Sequence, residues 1–106
     1  MKLWVDDVRP APQGEGYFRY AFKSVDFTKS YIERYEKYGD KDNPIELLDL
    51  DHDAGAYAIH GGDFIKLLDW LEETGRNYPI RIHTMNPVGA ENMRRIIRRN
   101  GWIEVK

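Results

Sequence analysis

Residues 47–53 read "LLDLDHD", an apolar run that ends in three aspartates and a histidine. The wider stretch "IELLDL" (45–50) is short, Leu/Ile-rich and bounded by polar, turn-forming residues, which predicts a buried β-strand. In an extended chain the side chains alternate, so Asp49, Asp51 and Asp53 start on one side and His52 on the other. Like charges brought together repel, and a buried carboxylate without a partner is costly. Such a strand end implies a site that other parts of the chain complete.

On the N-terminal side, "KLWV" (2–5) is a short apolar strand running into Asp6-Asp7. "VRPAPQGEG" (8–16) carries two prolines and two glycines, which mark a loop rather than a helix. "YFRYAFKSV" (17–25) reads as a second strand. Ser24 or Asp26 then caps a helix in which Phe27, Tyr31, Tyr35 and Tyr38 recur at helical spacing, ended by Gly39 and "DKDNP" (40–44). On the C-terminal side, "DHDAGAYAIHGG" (51–62) is a flexible segment. "DFIKLLDWLEETG" (63–75) is a helix with Phe64, Leu67, Leu68 and Leu71 as its apolar stripe. "PIRIH" (79–83) is a fourth strand, "NPVG" (86–89) a turn, "AENMRRIIRRN" (90–100) a helix with Met93, Ile96 and Ile97 inward, and "WIEV" (102–105) a fifth strand. Strands alternating with helices predict an α/β fold with a parallel sheet covered on both faces, in one domain spanning 1–106.

Composition narrows the function classes. With 106 residues and a 42% hydrophobic share the chain is long enough for one core, and its 32% charged share predicts a soluble surface. The net charge of -2 gives no global pull toward nucleic acid or an anionic membrane. The absence of cysteine removes disulfides, thiolate zinc sites and cysteine nucleophiles. "MKLWVDD" reaches acids too soon for a signal peptide, and no run approaches a membrane span, so a cytoplasmic protein is expected.

In an open α/β sheet, ligands bind beyond the carboxyl ends of the strands. There the first strand delivers Asp6, Asp7 and Arg9, the third Asp51, His52 and Asp53, and the fourth His83, Thr84 and Asn86. Asp6, Asp7 and Asp51, with Asp53 beside them, have the chemistry to ligate Mg²⁺ or Mn²⁺. His52 and His83 suit general acid and base work near neutral pH. Asn86, Gly89 and the helix start after "NPVG" offer backbone N–H groups to an anion, and Arg9 is a second anion contact. Asp49, inside the strand, reads as more structural than ligating. His60 reads as a loop residue. The Arg94, Arg95, Arg98 and Arg99 group follows Glu91 at helical spacing and reads as a solvated face, so DNA or RNA binding is not expected. The tyrosine stripe reads as core or half-buried surface, and Trp4, Trp70 and Trp102 read as core.

Those residues resemble the receiver-domain superfamily, with acids after strand one, an acid after strand three and a hydroxyl after strand four. Asp7 and Asp51 are 44 positions apart, and Asp51 and Thr84 are 33 apart, which fits. A lysine is expected near the end of strand five, where Lys106 stands. More specifically, "LWVDDVRPAP" (3–12), "LDLDHDAG" (48–55) and "RIHTMNPVGAENM" (81–93) resemble the cyclic-phosphate processing receiver domain family over nearly the whole chain. The resemblance implies a three-layer, flavodoxin-like fold with five parallel strands in the order 2-1-3-4-5. Here a Pro/Gly loop takes the place of the first crossover helix.

It further implies binding, and hydrolysis, of a cyclic phosphate on a nucleotide or nucleotide-like small molecule, at Asp6, Asp7, Arg9, Asp51, His52, Asp53, His83, Asn86 and Arg95. The alternatives are a signalling receiver with Asp51 as phosphoryl acceptor, which needs no histidine, and a sensor that binds a cyclic nucleotide without cleaving it. The D-x-D pattern of aspartyl phosphatases is a poor match, because Asp51-His52-Asp53 follows the third strand and continues into Ala-Gly.

Overall fold

A computed structural model describes residues 1–106. Its sheet is parallel and three-stranded: β1 (Lys2–Val5), β2 (Leu47–Leu50) and β3 (Ile80–Ile82), in that order across the sheet. Each strand alternates. Leu3, Val5, Leu48, Leu50 and Ile80 point one way and are fully buried, whereas Lys2, Trp4, Asp49 and Arg81 point the other way.

Three helices cover the apolar face. α1 (Val25–Tyr38) starts where the Ser24 hydroxyl accepts the Phe27 N–H at 3.1 Å, and it buries Val25, Thr28 and Ile32. α2 (Ile65–Glu73) buries Leu67, Leu68 and Leu71. α3 (Pro87–Asn100) buries Ala90, Met93, Ile96 and Ile97 and ends at Gly101 in the left-handed conformation. Residues of all three helices join Leu3, Val5, Leu48, Leu50 and Ile80 in one hydrophobic cluster. No helix is long and apolar enough to cross a membrane.

Four sequence expectations change. The strand expected at 17–25 is reduced to two parallel bridges, Lys2 with Tyr17 and Val5 with Phe22. Between these bridges β1 advances three residues (2 to 5) and its partner five (17 to 22), so the surplus residues bulge out and no continuous ladder forms. The strand expected at 102–105 is a single bridge between Ile80 and Glu104. The five-stranded sheet is therefore a three-stranded one with a bridged segment on each edge. The helix expected at 90–100 begins earlier, because "NPVG" is its cap and first turn: proline is favoured at the first helical position and Asn86 caps it.

The fourth correction concerns the layers. The crossovers through α1, α2 and α3 all carry the chain in the same direction across the sheet. The right-handed crossover rule therefore puts all three helices on one face. Only the 6–16 connection runs the other way, and it covers the second face without a helix. Trp4 Nε1 donates to the Arg9 carbonyl at 3.0 Å, and the Tyr17 hydroxyl donates to Asp49, so this loop is tied down directly over the polar row. The architecture is two layers plus a strap, rather than three layers.

Candidate functional site

The strand register builds the site in rows on the strap-covered face. Trp4, Asp49 and Arg81 are neighbours across the sheet. Two residues further along each strand, the same alternation brings up Asp6, Asp51 and His83. His83 ends between two fully buried carboxylates: Nδ1 lies 2.7 Å from Asp49 Oδ1 and Nε2 lies 3.0 Å from Asp6 Oδ2. The indole of Trp4 stacks on the imidazole, with centroids 3.7 Å apart and planes 4° from parallel.

Both aspartates are saturated with donors. Asp6 Oδ1 accepts the Val8 and Arg9 backbone N–H groups at 2.9 Å, and Oδ2 pairs with Arg9 Nε at 3.2 Å as well as with His83. Burial works against the charged form of Asp6, but the Arg9 and Val8 amides and His83 outweigh it and hold the carboxyl below its ordinary range. Asp49 is likewise opposed by burial and is held low by His83, the Tyr17 hydroxyl at 2.5 Å and Arg81 Nη1 at 3.0 Å. Tyr17 in turn is pushed up to about 12 by burial and by Asp49, so its phenol stays a donor. Each ring nitrogen of His83 therefore faces a buried carboxylate oxygen. His83, expected as a general acid or base, thus spends both nitrogens inside the fold; it anchors the centre of the site and has no free atom for a substrate.

His52 has the opposite arrangement. Its Nδ1 is 2.7 Å from Asp53 Oδ1, and its Nε2 has no partner within the protein. The ring lies against the first turn of α3, where a Cβ on Gly89 would come within 2.5 Å of His52 Cγ. Glycine at 89 is thus a steric requirement of the histidine's position. Alanine is the better helix former, so Gly89→Ala is expected to leave thermal stability within about 1 kcal/mol while displacing the imidazole. The check is to pair a melting curve with the His52 ring resonances in NMR; unchanged His52 shifts would contradict this packing.

The remaining acids surround Asp51. Asp51 Oδ1 accepts the His52 N–H at 2.7 Å, and Oδ2 lies 3.8 Å from Arg9 Nη2. Arg9 also donates to the His83 carbonyl at 3.1 Å, so its guanidinium bridges Asp6, Asp51 and the end of β3. Asp7 stands apart: burial, then the charges of Asp6, Asp51 and Asp53, push its carboxyl up. A Cβ at Gly55 would collide with the Asp7 carboxylate, and Gly55 adopts a φ of +53°, which places the 55–59 turn directly against this acid.

Two groups of potential metal ligands converge, Asp6–Asp51–His83 and His52–Asp53–Asp63. In the first, His83 and Arg9 donate to Asp6, and Asp51 Oδ2 lies 3.8 Å from Arg9. In the second, His52 Nδ1 is engaged by Asp53, and Asp63 Oδ1 accepts the Ala54 N–H at 2.9 Å. Hard divalent cations want several unencumbered oxygens. In the first group the Arg9 guanidinium already lies between the Asp6 and Asp51 carboxylates.

The other expected residues separate. Asn86 caps α3, its Oδ1 accepting the Gly89 N–H at 2.9 Å, and its amide nitrogen reaches Asp53 at 3.4 Å. With Pro87 lacking an N–H and Gly89 already bonded, the helix start offers an anion less than expected. Thr84 Oγ1 accepts the Asn86 N–H at 3.1 Å and shapes the turn. Arg95 bonds Asn92 on the exposed side of α3 and touches none of the cluster. Lys106 pairs with Glu104 at 3.4 Å, so the lysine of a phospho-accepting receiver has no counterpart beside Asp51. Three contributors escaped the sequence reading, Trp4, Tyr17 and Arg81, while Asp49 is structural as expected. Asp49 carried a signal, since a carboxylate inside a leucine run must be paired if it is buried.

A parallel α/β sheet with acids at the ends of β1 and β2 and polar residues beyond β3 defines a receiver-like domain. The chain belongs to a divergent branch of that class, the cyclic-phosphate processing receiver domain family, whose sequence profile matches residues 1–99. No curated protein and no solved structure matches it.

Proposed function

We propose that this rim binds a cyclic phosphate on a nucleotide-like small molecule and opens it by hydrolysis, with His52 as the proton-accepting group. The observation that carries the reading is the His52–Asp53 pair. One imidazole nitrogen is fixed by a carboxylate at 2.7 Å, and the other is left unpartnered at the mouth of the acid cluster, which is the arrangement of an oriented general base. His52 Nε2 takes a proton from water as its oxygen bonds to phosphorus. The ring P–O bond breaks, and the departing oxygen receives a proton from Asp7, the acid pushed up by burial and its neighbours. The half-exposed Arg9 guanidinium, already fixed by Asp6, supplies the positive charge for the phosphoryl oxygens. His83, Asp6 and Asp49 hold Arg9 and the strand ends in register.

Incubation with a panel of 2′,3′- and 3′,5′-cyclic nucleotides, with and without Mg²⁺ or Mn²⁺, followed by ³¹P NMR, tests this. Ring opening of at least one compound without added cation is expected. Turnover that requires the metal would overturn the role given to Arg9. Binding without turnover would replace hydrolysis by sensing, and neither binding nor turnover would remove the reading.

A further inference from the structure

A cavity of about 310 Å³ is lined by Ala21, Lys23, Ser24, Phe27, Tyr57 and His60. It is joined to the acid cluster by a short piece of chain. Gly55 lies against the Asp7 carboxylate, and Tyr57, two residues on in the same 3-10 turn, lines the cavity. Two residues of chain span at most about 7 Å, so one short turn borders both the Asp7 carboxylate and the cavity.

The lining is aromatic and exposed. Phe27 is 58% exposed and Tyr57 38%, an open position for two large rings on so small a protein. Phe27 is backed by the buried Phe22, whose ring stacks on it with centroids 5.7 Å apart. Tyr57 is held by the Lys23 ammonium, 5.9 Å from its centroid. The far wall is anchored to the start of α1, because the Asp26 N–H donates to the His60 carbonyl at 3.0 Å. Both rings are therefore positioned before anything binds. Around them stand groups that can donate or accept at the edge of a planar ring: the Lys23 ammonium, the Tyr57 hydroxyl and the His60 imidazole. The volume is at the small end for a ligand pocket, enough for one ring system.

We propose that this cavity receives the nucleobase of the ligand whose cyclic phosphate sits at the Asp7–Arg9–His52 rim, stacked on Phe27 and Tyr57 with Lys23 and His60 at its edge. The inference rests on the cyclic-phosphate reading and adds a substrate class to it: a nucleoside cyclic phosphate rather than a bare sugar or inositol cyclic phosphate. Aromatic stacking tolerates any base, so discrimination among bases falls to Lys23 and His60.

The test is calorimetric titration of the intact protein with three probes: adenosine 2′,3′-cyclic phosphate, 1-O-methylribose 2′,3′-cyclic phosphate, which lacks a base, and adenosine, which lacks a phosphate. The nucleotide is expected to bind roughly tenfold or more tightly than the base-free probe. Tyr57→Ala and Phe27→Ala should each remove most of that difference and leave base-free binding unchanged. Both side chains are exposed, so the variants should fold; Lys23→Gln, which removes only a charge, gives a second reading of the same cavity. Equal affinity for the two cyclic phosphates, or equal losses for both in the variants, would overturn the inference. If adenosine binds and responds to the variants while the base-free probe does not bind at all, the nucleobase cavity stands and the cyclic-phosphate reading falls.

Discussion

His52→Gln should reduce ring opening of a cyclic phosphate by about 10²- to 10⁴-fold, the range by which a positioned acid–base group accelerates such a step. The glutamine amide matches imidazole in size and can still meet Asp53, so the fold should be retained and ligand affinity should change little. The defect should lie in kcat rather than KM. Removing Asp53 by Asp53→Asn should give a smaller loss, because it removes only the group that orients the ring. The measurement is steady-state kinetics of both variants on whichever cyclic nucleotide turns over, with a melting curve for each. A His52→Gln enzyme within threefold of the parent would take the general-base role from this residue, and His83, with both nitrogens engaged, could not inherit it without giving up a contact to a buried carboxylate.

The largest effect on stability is expected at Asp49. Asp49→Ala leaves the His83 imidazole, the Arg81 guanidinium and the Tyr17 hydroxyl without their shared acceptor. Losing one member of a buried charge cluster costs about 3–5 kcal/mol, a large fraction of the roughly 5–15 kcal/mol that holds a small domain together. Urea denaturation reads this directly, and a loss below about 1 kcal/mol would show that the cluster is not held as described.

The same residue carries a pH signature. The Asp49 and Asp6 carboxyls are both held below their ordinary value of 3.8. Above that pH both are ionised in folded and unfolded chains alike, and their stabilisation is complete. As the pH falls below it, the unfolded chain takes up protons that the folded one refuses, so stability declines progressively toward the depressed values. Asp49→Asn should flatten this decline below about pH 4. An unchanged slope would assign the acid sensitivity to other groups.

Much of this was readable one residue at a time. The alternation in "KLWV", "LLDL" and "IRI" already contains a polar face, Lys2, Asp49 and Arg81, opposite an apolar one. Period-2 alternation of that kind marks a sheet with a single helical layer. The expectation of helices on both faces came from counting elements and passed over the direction of each crossover. Residues 17–25 have strand composition, but only the bridges at Tyr17 and Phe22 reveal the bulge that breaks the ladder. In "NPVG" the chain carried its own helix start, with an asparagine cap before a first-turn proline.

What the sequence determined by itself is local chemistry and order along the chain. It sets the strand that ends in Asp51-His52-Asp53, the loop-forming "VRPAPQGEG", the apolar stripes of α2 and α3, and the motifs that place the chain in its family. Tertiary structure alone decided the division of labour between the two histidines. His83 and His52 are equivalent as letters, each following an apolar strand near acids. Strand register puts His83 between Asp6 and Asp49, whose buried charges claim both its nitrogens. The close approach of His52 to Gly89 holds its ring at the rim, with one nitrogen bound to Asp53 and the other free. For His83, which atoms remain available depends on partners more than thirty residues away in the chain. Such partners are set by packing, and no short motif encodes them.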